Sequence, residues 1–469
     1  MTTVWLHVST LMNWDRPPVG IVRVEREYCL WLLARAGQQD TETVRFCIYD
    51  RVRKQFTEVS ETDVRTRLQL PVAPPPAPPQ VAAAAAARPE LSGWKLRAKR
   101  AWHRAKPYVP EAWVPVITRS VRRVQHQLLH TRAHLQARAE LRAAAQAAQP
   151  PGQPAGQPPA AFGPNDRWIS LGADWEYLNL EALYRVKQEL GLRVTLICYD
   201  AIPVLFPQLF VGVLSPGGFG SYLAELAWCA DSVLCISECT RRDFESVMKR
   251  LGAPVPPTRV ITLGSEIRMG AAGGPPPGLP HGADERPFVL YVSTIERRKN
   301  HEVLYRAWSR LRDQGVVPHR LVFVGMQGWG VNDLMNDLKL DPRVVDDIVC
   351  LNHVSDGELA WLYRHAAFTV FPSLYEGWGL PVVESLAWGK FCLVSNAASL
   401  PEAGGPWAEY LDPWDLPAWV DRLGHYMQHP GEVHSRNDRI AREFRAPGWA
   451  QTARAIHDVV LAASPKELP

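Results

Sequence analysis

The 469-residue chain contains no stretch of about 18 uninterrupted apolar residues, the length needed to cross a bilayer. Its opening residues, MTTVWLHVSTLMNWD, carry neither a basic leader nor a long apolar core, which argues against a signal peptide. Cysteine is sparse, with eight residues in all, and most sit in apolar runs such as Cys198 in VTLICYD and Cys392 in FCLVSN. They read as small buried hydrophobes and not as a disulfide framework. Cys235 and Cys239 in CISEC have no second Cys or His pair at zinc-site spacing, so no metal is expected there. These absences together predict a soluble cytoplasmic protein.

Charge is also scarce at 21%, while 18 Trp, 13 Phe and a hydrophobic content of 46% argue against global disorder and allow a large core. At roughly 100 to 200 residues per domain, the chain should hold two or more domains. Its net charge of +4 is unevenly spread. Residues 71–165 contain 13 Lys and Arg against three acidic residues, a net +10, and the remainder has 39 against 45, a net −6.

Short β-rich apolar runs alternate with helical stretches, which predicts an α/β doubly wound architecture. The first half places them at 4–8, 44–49, 168–171, 194–199 and 232–236; the second at 288–293, 320–324, 348–351, 367–371 and 391–395. Runs that are continuously hydrophobic suit parallel strands buried on both faces. A Gly/Pro-rich stretch, GAAGGPPPGLPHGADERP, can continue neither a helix nor a central strand. It marks a linker at 270–287 between an N-terminal domain (1–269) and a C-terminal domain (288–445), with a C-terminal helix at 446–469 returning to the first domain.

Residues 71–165 read as an insertion in the first domain, because strand-like runs lie on both sides. Its Pro/Ala-rich ends, 71–90 and 147–165, offer too few large apolar groups to offset ordering entropy. Between them Ile117, Val121, Val124, Leu128 and Leu135 fall on one helical face among several arginines. Two readings stand side by side for 91–145: a basic amphipathic element on an anionic membrane surface, or a solvated or partner-packed insertion. Nucleic acid is not expected, since no recognition module accompanies the charge.

The stretch with most chemistry is FPSLYEGWGLPVVESLAWGK, residues 371–390. A strand ends at Phe371 and Pro372, a loop follows, and Pro381 suits the first turn of a helix. Gly377 and Gly379 leave the loop backbone open to close approach by a ligand. The helix N-terminus, with free N–H groups and partial positive charge, would stabilise a phosphate. Glu376 lies in the loop and Glu384 about one turn into the helix, where a dipole-compensating surface role is the competing reading. A second strand, loop and helix, FVLYVSTIERRKNHEVLYRAW (288–308), sets Lys299 just before a helix that Asn300 is placed to cap.

The second half resembles the group 1 glycosyltransferases, retaining enzymes of the two-Rossmann GT-B fold with a crevice between the domains. The Glu-x(7)-Glu element E-G-W-G-L-P-V-V-E runs from Glu376 to Glu384. The likeness continues through TIERRKN (294–300), VGMQGWG (324–330), SDGELAWLYRHA (355–366), SNAASLPEAGG (395–405) and LDP (411–413). It is looser in GIVRVERE (20–27), CYDAIPVLFP (198–207), ADSVLCISECTRRDF (230–244) and ITLGSEI (261–267).

The resemblance implies a hexosyl transfer from a nucleotide sugar, with GDP-mannose the first choice of donor, to a polysaccharide or lipid-linked oligosaccharide. Lys299, with Arg298, would neutralise the donor diphosphate, and Glu384 would accept hydrogen bonds from the ribose. Glu376 would contact the donor sugar, and the backbone around Trp378, Gly379 and Leu380 would hold sugar hydroxyls and a phosphate. Gly20 matches a loop position facing the diphosphate. No cofactor or metal is implied. Relatives often read His-Asp where this chain has Tyr199-Asp200, so no His contact carries over. Asp200 fits either an acceptor-side group or a turn residue. Glu402 in SLPEAGG fits either a place near the crevice or, as the safer reading, a helix cap. The alternative function is a glycan or sugar-nucleotide binder that keeps the fold without turnover. The expected location is the cytoplasm, peripheral to the inner face of the plasma membrane if the insertion meets lipid.

Overall fold

The computed structural model describes residues 2–15, 20–35, 42–70, 158–210, 216–265, 273–279, 286–316 and 319–462. Two sheets dominate it. In the first, β1 (Thr2–His7), β2 (Glu42–Asp50), β3 (Gln55–Val59), β4 (Arg167–Ser170), β5 (Arg193–Cys198), β6 (Ser232–Cys235) and β7 (Thr258–Val260) lie in the order β3-β2-β1-β4-β5-β6-β7. In the second, β8 (Phe288–Val292), β9 (Arg320–Val324), β10 (Ile348–Leu351), β11 (Phe368–Phe371), β12 (Cys392–Ser395) and β13 (Glu409–Leu411) lie in the order β10-β9-β8-β11-β12-β13. All pairings are parallel except β2 with β3. The second order is that of a Rossmann sheet, whose ligand crevice opens where the order reverses, here between β8 and β11.

All ten apolar runs read from sequence are strands. Three further strands carry no such run. β3 folds back on β2 through a turn in which the Asp50 carboxylate accepts from the N–H groups of Val52 and Arg53, at 2.8 and 2.9 Å. β7 and β13 are edge strands of three residues each, too short and too polar to register as runs.

The expected insertion 71–165 is too long at its C-terminal end. Pro158–Asn165 belong to the first domain, where Pro159 bridges to Thr57 and the Phe162 ring sits edge-on to Trp5 and Phe56. The Phe162 ring and two backbone hydrogen bonds to β3, Glu58 N–H to the Pro158 carbonyl and Ala160 N–H to the Phe56 carbonyl, anchor an otherwise Pro/Ala-rich segment. The helical face from Ile117 to Leu135 and the basic 91–145 stretch lie outside the described residues.

Five helices position the site or join the domains: α1 (Ile21–Arg35), α2 (Glu238–Leu251), α3 (His301–Asp313), α4 (Leu380–Ala387) and α5 (Trp449–Leu461). α5 returns to the first domain, burying Trp449, Ala453, Ile456 and Val460 among Val4, Leu6, Val24 and Tyr28. Each large apolar side chain so buried contributes about 1.5 to 3 kcal/mol. Polar contacts fix its register: Thr452 donates to the Thr262 carbonyl at 2.8 Å, and His457 bridges Tyr28 and Glu42. All eight cysteines are free thiols, and seven are buried.

Candidate functional site

The loops after β8 and β11 leave the sheet at its switch point and are tied together by backbone. The Leu374 N–H donates to the Arg298 carbonyl at 2.8 Å. Lys299 closes a single 3-10 turn, Arg297–Lys299, and its carbonyl accepts from the Tyr291 hydroxyl at 2.5 Å. The expected cap by Asn300 is corrected: its side chain makes no capping bond to α3. Asn300 instead adopts a left-handed conformation, φ 55°, which Asn tolerates better than most residues. That turn sends its amide toward the carbonyls of Pro372 and Pro413, at 3.1 and 2.9 Å, so it ties three loops together.

Glu376 is the centre of the site. Its Oε1 accepts from Lys299 Nζ and Ser373 Oγ, both at 2.6 Å, and its Oε2 accepts from Arg298 Nη1 at 2.6 Å. Arg298 also pairs with Glu296 at 2.9 Å. Burial would raise the Glu376 pKa, but the charges of Arg298 and Lys299 and the hydrogen bonds outweigh it and hold the carboxyl at about 2. Burial, reinforced by Arg298, draws the Lys299 pKa below its ordinary value, with Glu376 opposing. Two cations and two carboxylates thus share a nearly dry site in which electrostatic interactions are stronger than in water.

Beyond Glu376 the chain turns through Gly377 and Gly379 into α4. Gly379 has φ 147°, a region that side-chain-bearing residues avoid, and a Cβ there would stand 2.8 Å from Leu400 Cδ2. The expectation for Gly377 changes. What approaches it is protein and not open space: a Cβ would lie 2.2 Å from the Tyr199 carbonyl oxygen and 3.1 Å from Asp200 Cβ. Thr240, in the first turn of α2, donates to the Gly377 carbonyl at 3.0 Å. The Ser399 hydroxyl lies 2.8 and 2.7 Å from the carbonyls of Glu376 and Trp378, and the side chains of Trp378 and Leu380 pack on the apolar cluster of the first domain. The loop after β11 is therefore also a domain contact.

Glu384 is a buried group and not a surface one, which removes the reading of its charge as simple dipole compensation. Its Oε2 accepts from Tyr363 Oη at 3.2 Å, and its Oε1 from Arg23 Nη1 at 3.0 Å. Arg23 lies in the first turn of α1, whose start is set by Gly20 at φ 52° and by the bond from Arg23 N–H to the Gly20 carbonyl at 3.1 Å. Sequence reasoning missed Arg23. The signal was present, since GIVRVERE places an arginine one helical turn after the singled-out glycine.

Asp200 Oδ1 accepts from the Ile202 N–H at 3.0 Å, which is the turn role. The residue is also half-buried against the Gly377 loop. Burial raises its pKa and the nearby Arg298 opposes that rise, so Asp200 belongs to the same electrostatic cluster. Tyr199 turns away, its hydroxyl donating to the Leu171 carbonyl at 2.6 Å. Glu402 is indeed a cap, but of the other domain's helix: its carboxylate accepts from the N–H groups of Glu238 and Cys239, at 2.7 and 2.8 Å, over the start of α2. The structure thus gathers Arg298, Lys299, Glu376, Gly377 and Asp200 in one group ahead of α4, and Gly20, Arg23 and Glu384 in a second.

Comparison with known proteins agrees with this geometry. The family of glycosyl transferases group 1 matches residues 280–415. The serotype-specific mannosyltransferase WbdA of Escherichia coli is 27% identical over 264 residues, covering 53% of this chain and 32% of that protein. The O-antigen chain mannosyltransferase B of Escherichia coli is 35% identical over 131 residues, covering 28% and 34%. The chain thus spans about a third of the length of these curated relatives. Anabaena HepE, solved in complex with UDP, shares the fold across 98% of this chain and 99% of its own, with a TM-score of 0.53 at 13% identity. With the Glu376-to-Glu384 element at the switch point of a second Rossmann-like sheet, residues 280–415 match the group 1 glycosyltransferases within a chain of GT-B fold.

Proposed function

We propose that the protein is a retaining glycosyltransferase that moves mannose from GDP-mannose to a polysaccharide or lipid-linked oligosaccharide. The observation that carries the transfer reading is the Glu376 carboxylate held between Arg298 and Lys299 at the head of α4. Two partly buried cations beside a helix N-terminus suit a diphosphate, whose negative charge grows as the sugar leaves. Mannose is favoured because the two Escherichia coli relatives are mannosyltransferases by name.

In this reading Arg298 and Lys299 receive the diphosphate, Glu376 then turns its freed oxygens to the sugar, and Glu384 takes the ribose hydroxyls. The bond from the anomeric carbon to the phosphate oxygen breaks while the acceptor oxygen bonds to the same carbon on the same face. The acceptor proton passes to the leaving phosphate, so no protein nucleophile and no metal is assigned. Asp200, within the electrostatic reach of Arg298 and across from the donor loop, is the acceptor-side group.

A thermal-shift panel of GDP, UDP and ADP sugars, followed by assay of released nucleoside diphosphate, tests this. Ligand at about 100 times its Kd adds ~2.7 kcal/mol of stability. A shift and turnover with GDP-mannose are expected; a shift without turnover for any donor refutes the enzyme reading.

A further inference from the structure

We infer that Arg23 is a positioning residue that makes ribose recognition by Glu384 depend on the N-terminal domain. The inference rests on reading Glu384 as the ribose acceptor, and it assigns a role to a residue of the opposite domain.

The geometry of the carboxylate comes first. An ionised carboxylate has two oxygens with about four lone-pair directions and no proton to give. Arg23 uses one direction on Oε1 and Tyr363 one on Oε2. One direction remains on each oxygen, which matches the two adjacent hydroxyl donors of a ribose. Arg23 and Tyr363 therefore need not leave for the nucleotide to bind. They hold the carboxylate at a fixed angle and consume the directions the ribose does not use.

Charge points the same way. Glu384 is buried on α4, and burial pushes its carboxyl toward the protonated form. A protonated carboxyl would offer a donor where the ribose brings donors of its own. The Arg23 guanidinium is the strongest opposing influence, and no other cation pairs with Glu384 among the described residues. The guanidinium reaches Glu384 from α1, which is anchored in the first domain by Val24 and Tyr28 against α5. When the domains part, the pair parts with them, and Glu384 loses its charge partner and one of the two bonds that orient it. Ribose affinity and domain closure are thereby linked through one ion pair.

The probes are GDP and UDP, each compared with its 2′,3′-dideoxy analogue, with Kd measured for the full-length wild type, Arg23→Met, Arg23→Lys and Glu384→Gln. Losing two hydrogen bonds to a charged acceptor, at about 1.5 kcal/mol or more each, should weaken the dideoxy analogue of the bound base by roughly 150-fold or more in the wild type. In Arg23→Met the ratio should fall to about 3-fold or less while dideoxy affinity changes little, which also shows that the variant is folded. Arg23→Lys should restore part of the ratio. Lowering the pH from 8 to 6 should erode what remains in Arg23→Met and leave the wild type almost unchanged. A full wild-type ratio in Arg23→Met overturns the inference and leaves the ribose reading standing. No discrimination in the wild type overturns the ribose reading itself, and the inference with it.

Discussion

Lys299 and Glu376 share one ion pair but should respond differently to removal. Lys299→Ala leaves Glu376 bonded to Arg298 and Ser373, so no buried charge is stranded. Its expected effect is on the leaving group: a loss of about 1.5 to 3 kcal/mol of charge-assisted hydrogen bonding, or roughly 10- to 150-fold in kcat/KM, with little change in Tm. Glu376→Ala leaves Lys299 without its carboxylate and Arg298 with Glu296 alone, and should cost about 3 to 5 kcal/mol of stability as well as activity. Steady-state kinetics and thermal melts of both variants separate the two effects. His301, behind the same loop, gives a pH prediction. It is buried between Tyr291 and Phe323, and burial, reinforced by Lys299, lowers its pKa to about 3. The unfolded chain binds a proton at His301 below about pH 6.5 and the folded chain does not, so stability is lost as pH falls through the window from 6.5 toward 3. At pH 5 the loss is about 2 kcal/mol. Melting curves from pH 7.5 to 5 should therefore be flatter for His301→Gln than for the wild type, and parallel curves would contradict the assignment.

At the scale of elements, the loop from Ser373 to Gly379 is shaped as much by the opposite domain as by its own sheet. A methyl group at Gly377 would meet the Tyr199 carbonyl, a backbone atom that cannot swing aside. Gly377→Ala should force the domains apart at α4 and lower kcat by at least about 10-fold, with both sheets intact and Tm nearly unchanged. Gly20→Ala meets no atom within 4 Å and carries only the strain of φ 52°, so its effect should stay near 1 kcal/mol. Kinetics and melts of the pair check the contrast. This double dependence also explains what was legible in the sequence. Strands buried on both faces advertise themselves as apolar runs, so ten of them, the switch-point loops and the residues Arg298, Lys299, Glu376 and Glu384 could all be read. β3 could not, because its Gln55, Thr57 and Glu58 interrupt any run and its position comes from pairing with β2. Nor could the use of Gly377, the Glu402 cap on α2 or the Arg23 pair with Glu384, since each joins residues far apart in the chain and on opposite sides of the crevice. Local pattern carries elements; contacts across the crevice need the fold.

For the whole molecule, charge divides along the same line as structure. Pro158–Asn165 hold no charged residue, so the net +10 lies entirely within residues 71–157, and the remainder of the chain carries −6. No described helix is long and apolar enough to cross a membrane. An acidic body is repelled by an anionic surface, so any attraction to lipid must come from the basic segment, at about 1 kcal/mol for each Lys or Arg that reaches the surface. Among the described residues, β1, β2, β3 and β4 pair with one another. Replacing residues 71–157 with a short Gly/Ser linker should therefore leave donor turnover within about 3-fold of the wild type while abolishing sedimentation with anionic vesicles at low salt. Raising salt to 1 M shortens the screening length from about 10 to 3 Å and should release the wild type as well. Vesicle binding that survives the deletion would place the lipid contact on the acidic body, which its charge opposes, and would remove the membrane role from the segment.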